Sequence, residues 1–280
     1  MNNSPALPDH VIPVILAGGP GLRLRPWSRR SRPKPFLRVH GQSLLQKTLA
    51  RIGNRESLVL CNQNYANLAK AQADAAGARS RFLLEPVGRN TAPAIATATA
   101  WIMKNHGADK FMLVMPSDHD IRQPAVLLRA VHDLVPDMQD DQMISFGIRP
   151  RRPSTRFGYI VPGKPHAQFV EKPDRIRALR LMADGASWNS GIFLTPASTM
   201  AGLFSRLTPD LWRSAQQAAE NARADGVYTY FDPAAFAAMP SCAIDRAIME
   251  RAGCISCHML DIRWRDLGTW PSMVAHLCGL

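Results

Sequence analysis

The sequence predicts an α/β fold in which a mixed, mostly parallel sheet carries helices on both faces. Three observations support this. Short apolar runs of strand length recur at residues 11–17, 57–62, 111–115 and 143–148. Stretches with apolar residues at helical spacing separate them, the alternation that builds parallel sheet. Glycine or acidic residues stand just past the strands, where open α/β sheets bind ligands. At 280 residues, one domain spanning 1–280 is the expected organisation.

The first strand, 11–17, feeds a turn containing Gly18, Gly19 and Gly21, followed by Arg23, Arg25, Arg29, Arg30, Arg32 and Lys34. Glycines bend the chain sharply and let backbone N–H groups face an anion, while the basic groups add charge. The stretch reads as a polyphosphate cradle, and also as a glycine turn before a solvated basic loop. It matches neither common template. No Lys-Ser or Lys-Thr follows the glycines, and Leu24 stands where a dinucleotide fingerprint needs its third glycine.

Residues 43–52 have helical apolar spacing and a serine able to cap them. Strand 57–62 and a helix over 65–76 follow. A helix opens after Gly88, with Asn90 and Thr91 as capping candidates and Pro93 in its first turn, where a missing N–H does no harm. Strand 111–115 runs straight into Ser117, Asp118, His119 and Asp120. A helix from about Pro124 leads to strand 143–148 and then to an arginine- and proline-rich loop. Residues 174–185 read as an amphipathic surface helix, and 196–238 as mostly helical and alanine-rich.

The formal net charge is +12, and it is concentrated. Between His10 and Arg55 there are ten Lys or Arg residues and no Asp or Glu, so anionic ligands are expected. Nucleic acid is not the expected partner, since interleaved aromatics, zinc-finger spacing and a groove-binding basic helix are missing. No apolar run approaches a membrane span, and the amino terminus lacks the regions of a signal peptide, so a cytoplasmic location is expected. Five cysteines then argue against a disulfide framework. Cys254, Cys257 and His258 spell a haem-attachment string, but the surrounding alternation favours a half-buried strand.

Longer strings carry a resemblance. The segments L-A-G-G-x-G-x-R-L followed by P-K-x-F-L, E-P-V-G-R-N-T-A-P-A-I, P-S-D-H, F-G-I-x-P-x-x-P-x-x-x-F-G-Y-I, F-V-E-K-P, W-N-S-G-I-F, S-C-A-I-D-R-A-I-M-E and W-x-D-L-G-T-W occur in order from Val11 to Trp270. This ordered set resembles the sugar-1-phosphate nucleotidylyltransferases, and among them the mannose-1-phosphate guanylyltransferases. The resemblance implies a Rossmann-like fold of nucleotidyltransferase type A, with a nucleotide-binding part over about 11–150 and a sugar-binding part over about 151–280. It implies GTP and mannose 1-phosphate as substrates, magnesium as cofactor, and GDP-mannose and pyrophosphate as products. Another sugar phosphate or nucleotide, and a noncatalytic relative, remain open, as does assembly as a homodimer.

Site roles follow from the same resemblance. Leu16, Ala17, Gly18, Gly19, Gly21, Arg23, Lys34, Glu85, Arg89, Asn90 and Asp118 would contact the nucleotide, with Glu85 facing guanine. Gly158, Tyr159, Glu171, Lys172 and Asn189 would hold the sugar phosphate. Asp118 and Asp266 would share the metal, and Arg23, Lys34, Asp118, Lys172 and Asp266 would carry catalysis. His119 is assigned no role, and Asp245 reads as a cap or helix-end residue. Three departures fall in the cradle: Pro20 and Leu22 replace the usual Ser and Thr, and Pro35 replaces Gln, which removes some phosphate donors. Phe157 stands where a tyrosine is usual. No isomerase activity is expected.

Overall fold

The first apolar run forms β1 (Val11–Leu16), and its alternation dictates the layering. In the computed structural model, which describes residues 6–163 and 166–279, Val11 and Ile15 enter one hydrophobic cluster and Val14 enters another. A strand buried on both faces needs a layer on each side. The first five residues, part of the amino-terminal reading above, lie outside the described ones.

A small ribbon of β2 (Arg38–Val39) and β3 (Gln42–Ser43) precedes α1 (Leu44–Arg51). Ser43 caps that helix through a reciprocal pair: its hydroxyl accepts from the Gln46 N–H at 3.1 Å, and the Gln46 carbonyl oxygen accepts from the Ser43 N–H at 2.8 Å. The alternation continues through β4 (Ser57–Asn62), α2 (Ala66–Ala75), β5 (Ser80–Glu85), α3 (Thr91–His106) and β6 (Phe111–Pro116). Next come β7 (His119–Ile121), α4 (Pro124–Leu134), β8 (Met143–Ile148), β9 (Tyr159–Val161), β10 (Gln168–Val170), α5 (Arg175–Ala183) and β11 (Ser187–Pro196). The remainder is α6 (Ala197–Leu207), α7 (Pro209–Glu220), β12 (Arg223–Asp225), β13 (Tyr228–Tyr230) and α8 (Pro233–Ala238). A π-helical turn (Asp245–Met249), β14 (Ile255–Leu260), β15 (Trp264–Asp266) and α9 (Trp270–Leu277) close the chain.

Among the described residues, eleven strands share one sheet. Its centre, in the order β6-β1-β4-β5-β13, is parallel throughout. On one flank β11 pairs antiparallel with β6, β8 and β9, and β14 returns parallel to β8. The sheet is therefore mixed, with parallel pairing at its centre. Helices α1, α2, α4 and α5 cover the face of Ile15, Phe82 and Leu113, while α3, α6, α7 and α8 cover that of Val14, Leu83 and Met112. Fully buried Ala96 and Ala98 of α3, with Ala215 and Ala218 of α7, keep those helices thin enough to pack closely.

The stretch 196–238 is mostly helical, as expected, in α6, α7 and α8, but it also holds a hairpin of β12 and β13, and β13 extends the parallel centre beside β5. Three-residue strands carry too little periodicity to show in sequence; their pairing is a tertiary event. Asp245 is also more than a helix end, as described below. Residues 255–260 do form the expected strand, where the Cys257 thiol lies 3.2 Å from the Ser187 hydroxyl. No described helix is long and apolar enough to cross a membrane.

Candidate active site

The glycine turn is held at the carboxyl end of the parallel strands. The Ala17 N–H donates to the Leu60 carbonyl at 2.8 Å, and the Leu16 carbonyl accepts from the Ser117 N–H at 3.1 Å. Gly18 and Gly19 are exposed. A Cβ on Gly18 would stand 2.7 Å from the Glu85 carboxylate, whereas one on Gly19 would meet nothing within 4 Å. Gly21 has φ of 70°, and a Cβ there would lie 2.5 Å from the Lys34 Cβ, so both conformation and close approach require glycine.

The basic loop is pinned rather than loose. Leu24, Leu37, Val39 and Leu44 form a separate small core with Leu267 and Met273, and Trp27 stacks on Trp270 with centroids 5.8 Å apart. This core draws the start of the chain against its end. Arg23 stays exposed beside the cradle, with no side-chain partner among the described residues.

Lys34 is nine-tenths buried, and its ammonium lies between two carboxylates, bonded to Asp118 and 3.4 Å from Asp266 Oδ1. A ribbon makes this convergence possible. β7 pairs antiparallel with β15 so that Asp266 faces His119 in register, and the Leu267 N–H donates to the Asp118 carbonyl at 3.2 Å. A Cβ on Gly268 would come within 2.8 Å of Asp266 Oδ1, so that glycine leaves the carboxylate its room. Burial pushes the Asp118 carboxyl up, but Lys34, His119 and hydrogen bonds outweigh it and hold the group below its ordinary value.

His119, to which the sequence assigns no role, supports this cluster. The Trp264 indole N–H donates to its Nδ1 at 3.3 Å, which leaves Nε2 as the protonated nitrogen, 3.8 Å from Asp118 Oδ1. Burial lowers its pKa, against the raising pull of Asp118 and Asp266, and so favours the neutral ring. Beneath the turn, the buried Arg51 donates to the His119 carbonyl, and the Thr48 hydroxyl donates to the Ser117 carbonyl at 3.1 Å. Burial lowers the Arg51 guanidinium to about 10, which still keeps it charged at neutral pH.

At the end of β5, Glu85 is 4% exposed, and burial raises its carboxyl to about 8. The Arg89 guanidinium donates to the Ala237 carbonyl at 2.6 Å, which ties the loop to α8. Asn90, with φ of 69°, caps α3 by accepting from the Thr91 N–H at 2.9 Å.

The sugar-side residues also converge. The Asn189 N–H donates to the Gly158 carbonyl at 2.8 Å, and a Cβ on Gly158 would lie 2.9 Å from Glu171 Oε2. The Lys172 ammonium pairs with Glu171. Asn189 accepts from Ser145 at 3.2 Å and from the Gly191 N–H at 2.9 Å, at a register shift in β11. Its amide donates to Asp245 Oδ1 at 3.2 Å. Burial raises the Asp245 carboxyl to about 6, with Glu171 adding repulsion. Asp245 therefore belongs with Glu171, Lys172 and Asn189; its place in a π-helical turn is a feature common at functional sites. Tyr159 does not present its ring, which is fully buried, and its hydroxyl accepts from the Ser154 N–H at 2.8 Å. Phe157 packs edge-on against Trp188 at 5.1 Å and Trp264 at 5.2 Å, linking the two halves of the site.

A glycine cradle at the parallel strand ends, beside two convergent carboxylates, defines a phosphate-handling α/β protein. The chain belongs to the nucleotidyl transferase family, whose model matches residues 12–278. The xanthan biosynthesis protein XanB of Xanthomonas campestris pv. campestris is 39% identical over 275 residues, covering 94% of this chain and 59% of that protein. The mannose-1-phosphate guanylyltransferase of Escherichia coli is 37% identical over 279 residues, again covering 94% and 59%. A Thermus thermophilus crystal structure described as mannose-1-phosphate geranyltransferase superposes with a TM-score of 0.83 at 30% identity, covering 97% of this chain and 80% of that one. The chain spans about three fifths of the length of these curated relatives.

Proposed function

We propose that this chain transfers GMP from GTP to mannose 1-phosphate, giving GDP-mannose and pyrophosphate. One observation carries the reading most directly: Asp118 and Asp266, far apart in sequence, close on a single cation, the Lys34 ammonium. That donor set suits Mg²⁺, a hard ion that takes one or two carboxylates and completes its shell with water and substrate oxygens. No group of three or more His, Cys, Asp or Glu side chains competes as a metal site among the described residues. When bound by Asp118 and Asp266, magnesium would supply positive charge at the reacting phosphate.

The chain's own groups account for the rest. A phosphate monoester is already anionic at neutral pH, since its second ionisation lies near pH 6, so the sugar phosphate needs no general base. Neutral His119 fits that requirement as a neighbour that orients Asp118. Arg23 and the N–H groups of the Gly18 and Gly19 turn stabilise the departing pyrophosphate, and Lys34 stands ready beside it. Lys172 aligns the incoming sugar phosphate, and Glu171 and Asn189, backed by Asp245, meet hydroxyls that both donate and accept. Glu85 reads guanine, whose N1–H and exocyclic amine are the paired donors a carboxylate accepts.

We read residues 1–280 as one nucleotidyltransferase domain at work in the cytoplasm, where GTP is supplied. The test is pyrophosphate release with GTP, Mg²⁺ and mannose 1-phosphate, run beside ATP, UTP and dTTP. GTP should dominate. Equal use of another nucleotide overturns the guanine assignment, and no release with any of them favours a noncatalytic member, to which Pro20 and Leu22 in the cradle would then point.

A further inference from the structure

A cavity of about 480 Å³ lies beside the cation site, and the arginines of its wall have no part in the proposed reaction. Seven arginines (residues 122, 149, 151, 152, 156, 263 and 265) line it, against three acids, Asp120, Asp261 and Asp266. Of the residues assigned above to nucleotide, metal or sugar, Asp266 alone is in its wall. Four of these arginines, Arg149, Arg151, Arg152 and Arg156, occupy positions that the F-G-I-x-P-x-x-P-x-x-x-F-G-Y-I segment leaves unspecified.

Their neighbours leave most of the charge unanswered. Arg122 lies 3.9 Å from Asp120, and Arg156 donates to the Thr269 hydroxyl at 2.9 Å while standing over the Phe157 ring. Arg149, Arg151, Arg152 and Arg263 are exposed and have no side-chain partner among the described residues. Guanidiniums crowded in this way repel one another, and an anion received through paired N–H bonds relieves the repulsion. A phosphate monoester carries at most two charges, which would leave half of the four unmatched. Two or more linked phosphates match them better. The cavity has the volume of a small-molecule site, about 300 to 1,000 Å³, and Phe157, Trp188 and Trp264 give it an aromatic wall.

We propose that this basin binds a second ligand, one carrying two or more linked phosphate groups, at a place distinct from the nucleotide of the proposed reaction. Because residues 264–266 both line it and form β15, the strand bearing Asp266, the occupant sits against the backbone that positions the cation site.

Calorimetric titration of metal-free protein with inorganic pyrophosphate tests this, comparing wild type with an Arg151→Glu, Arg152→Glu double variant. Both residues are exposed and unpaired, so the fold should survive, and circular dichroism checks it. Arg149→Ala is a milder second variant. The expected result is one pyrophosphate site lost in the double variant, weakened about tenfold or more, with an intermediate loss in Arg149→Ala. The KM for GTP should stay unchanged. GDP and tripolyphosphate titrated in parallel separate a nucleotide from a bare phosphate chain, since only the former gains from the aromatic wall. If wild type has one pyrophosphate site and the double variant loses it, the basin stands even where the proposed reaction fails. Identical titrations of wild type and variant overturn the proposal. So does an oligonucleotide whose binding the variant loses while pyrophosphate binding is unchanged.

Discussion

Glu85→Gln offers the sharpest quantitative test, because it changes charge at a buried position with almost no change in shape. Burial lifts the Glu85 carboxyl from an ordinary 4.5 to about 8. Below pH 4.5 the group is protonated in both folded and unfolded chains and makes no pH-dependent contribution. Between about 4.5 and 8 the unfolded chain releases a proton that the folded chain keeps, so folding loses up to about 1.4 kcal/mol per pH unit. Above pH 8 the penalty is complete, at roughly 5 kcal/mol. Glutamine never ionises, so the variant should gain stability relative to wild type as pH rises, by several kcal/mol between pH 5 and 8. Urea denaturation at pH 5, 6.5 and 8 measures it; a constant difference across that range refutes the reasoning. Ligand binding should show the opposite dependence. If guanine's donors need the carboxylate, GTP affinity of the wild type rises about eightfold from pH 7 to 8.5, and the glutamine variant loses that slope.

Asp118→Ala should reduce metal-dependent turnover by more than about 100-fold while GTP binding stays measurable in a titration; near-normal turnover would remove Asp118 from the metal assignment. Lys172→Met should raise KM for mannose 1-phosphate about 10- to 100-fold, the worth of one charge-assisted hydrogen bond, with GTP affinity intact. Loss of GTP affinity alone would contradict its role. Gly21→Ala forces a side chain into a φ of 70° against Lys34 and should cost about 1 to 3 kcal/mol of stability, read as a lowered Tm. An unchanged Tm would mean that the turn relaxes freely.

The central strands are legible because each is buried on both faces, which leaves a near-continuous apolar run such as residues 11–17 or 111–115. The helices are legible where caps and spacing agree, as at Ser43 and Asn90. What stays hidden depends on partners distant in the chain. β13 is three residues long and exists because β5 offers it an edge. Tyr159 reads as a ligand-facing ring beside a glycine, yet one strand position decides which face a side chain takes, and its face is the core.

The same distinction separates the parts of the site. A carboxylate past a strand end is visible in sequence as a candidate, as Asp118 is, and Asp266 becomes one through the family string that holds it. That they meet depends on the β7 and β15 ribbon and on the small core joining Leu24 and Leu37 to Leu267 and Met273, neither of which has a local signature. His119 and Asp245 escape notice for the same reason. Each is an ordinary polar residue until Trp264 fixes one's tautomer and Asn189 bonds the other's carboxylate. Lys34 shows the principle most clearly: a lysine in a basic loop suggests phosphate, but its place between two acids makes it the counter-charge that holds the Asp118 carboxyl below its ordinary value despite burial. A variant that removes its charge, Lys34→Met, should therefore raise the pH needed to keep Asp118 ionised, as well as weakening the hold on phosphate. The pH dependence of Mg²⁺ binding reads this directly, and a profile unmoved from wild type would contradict it.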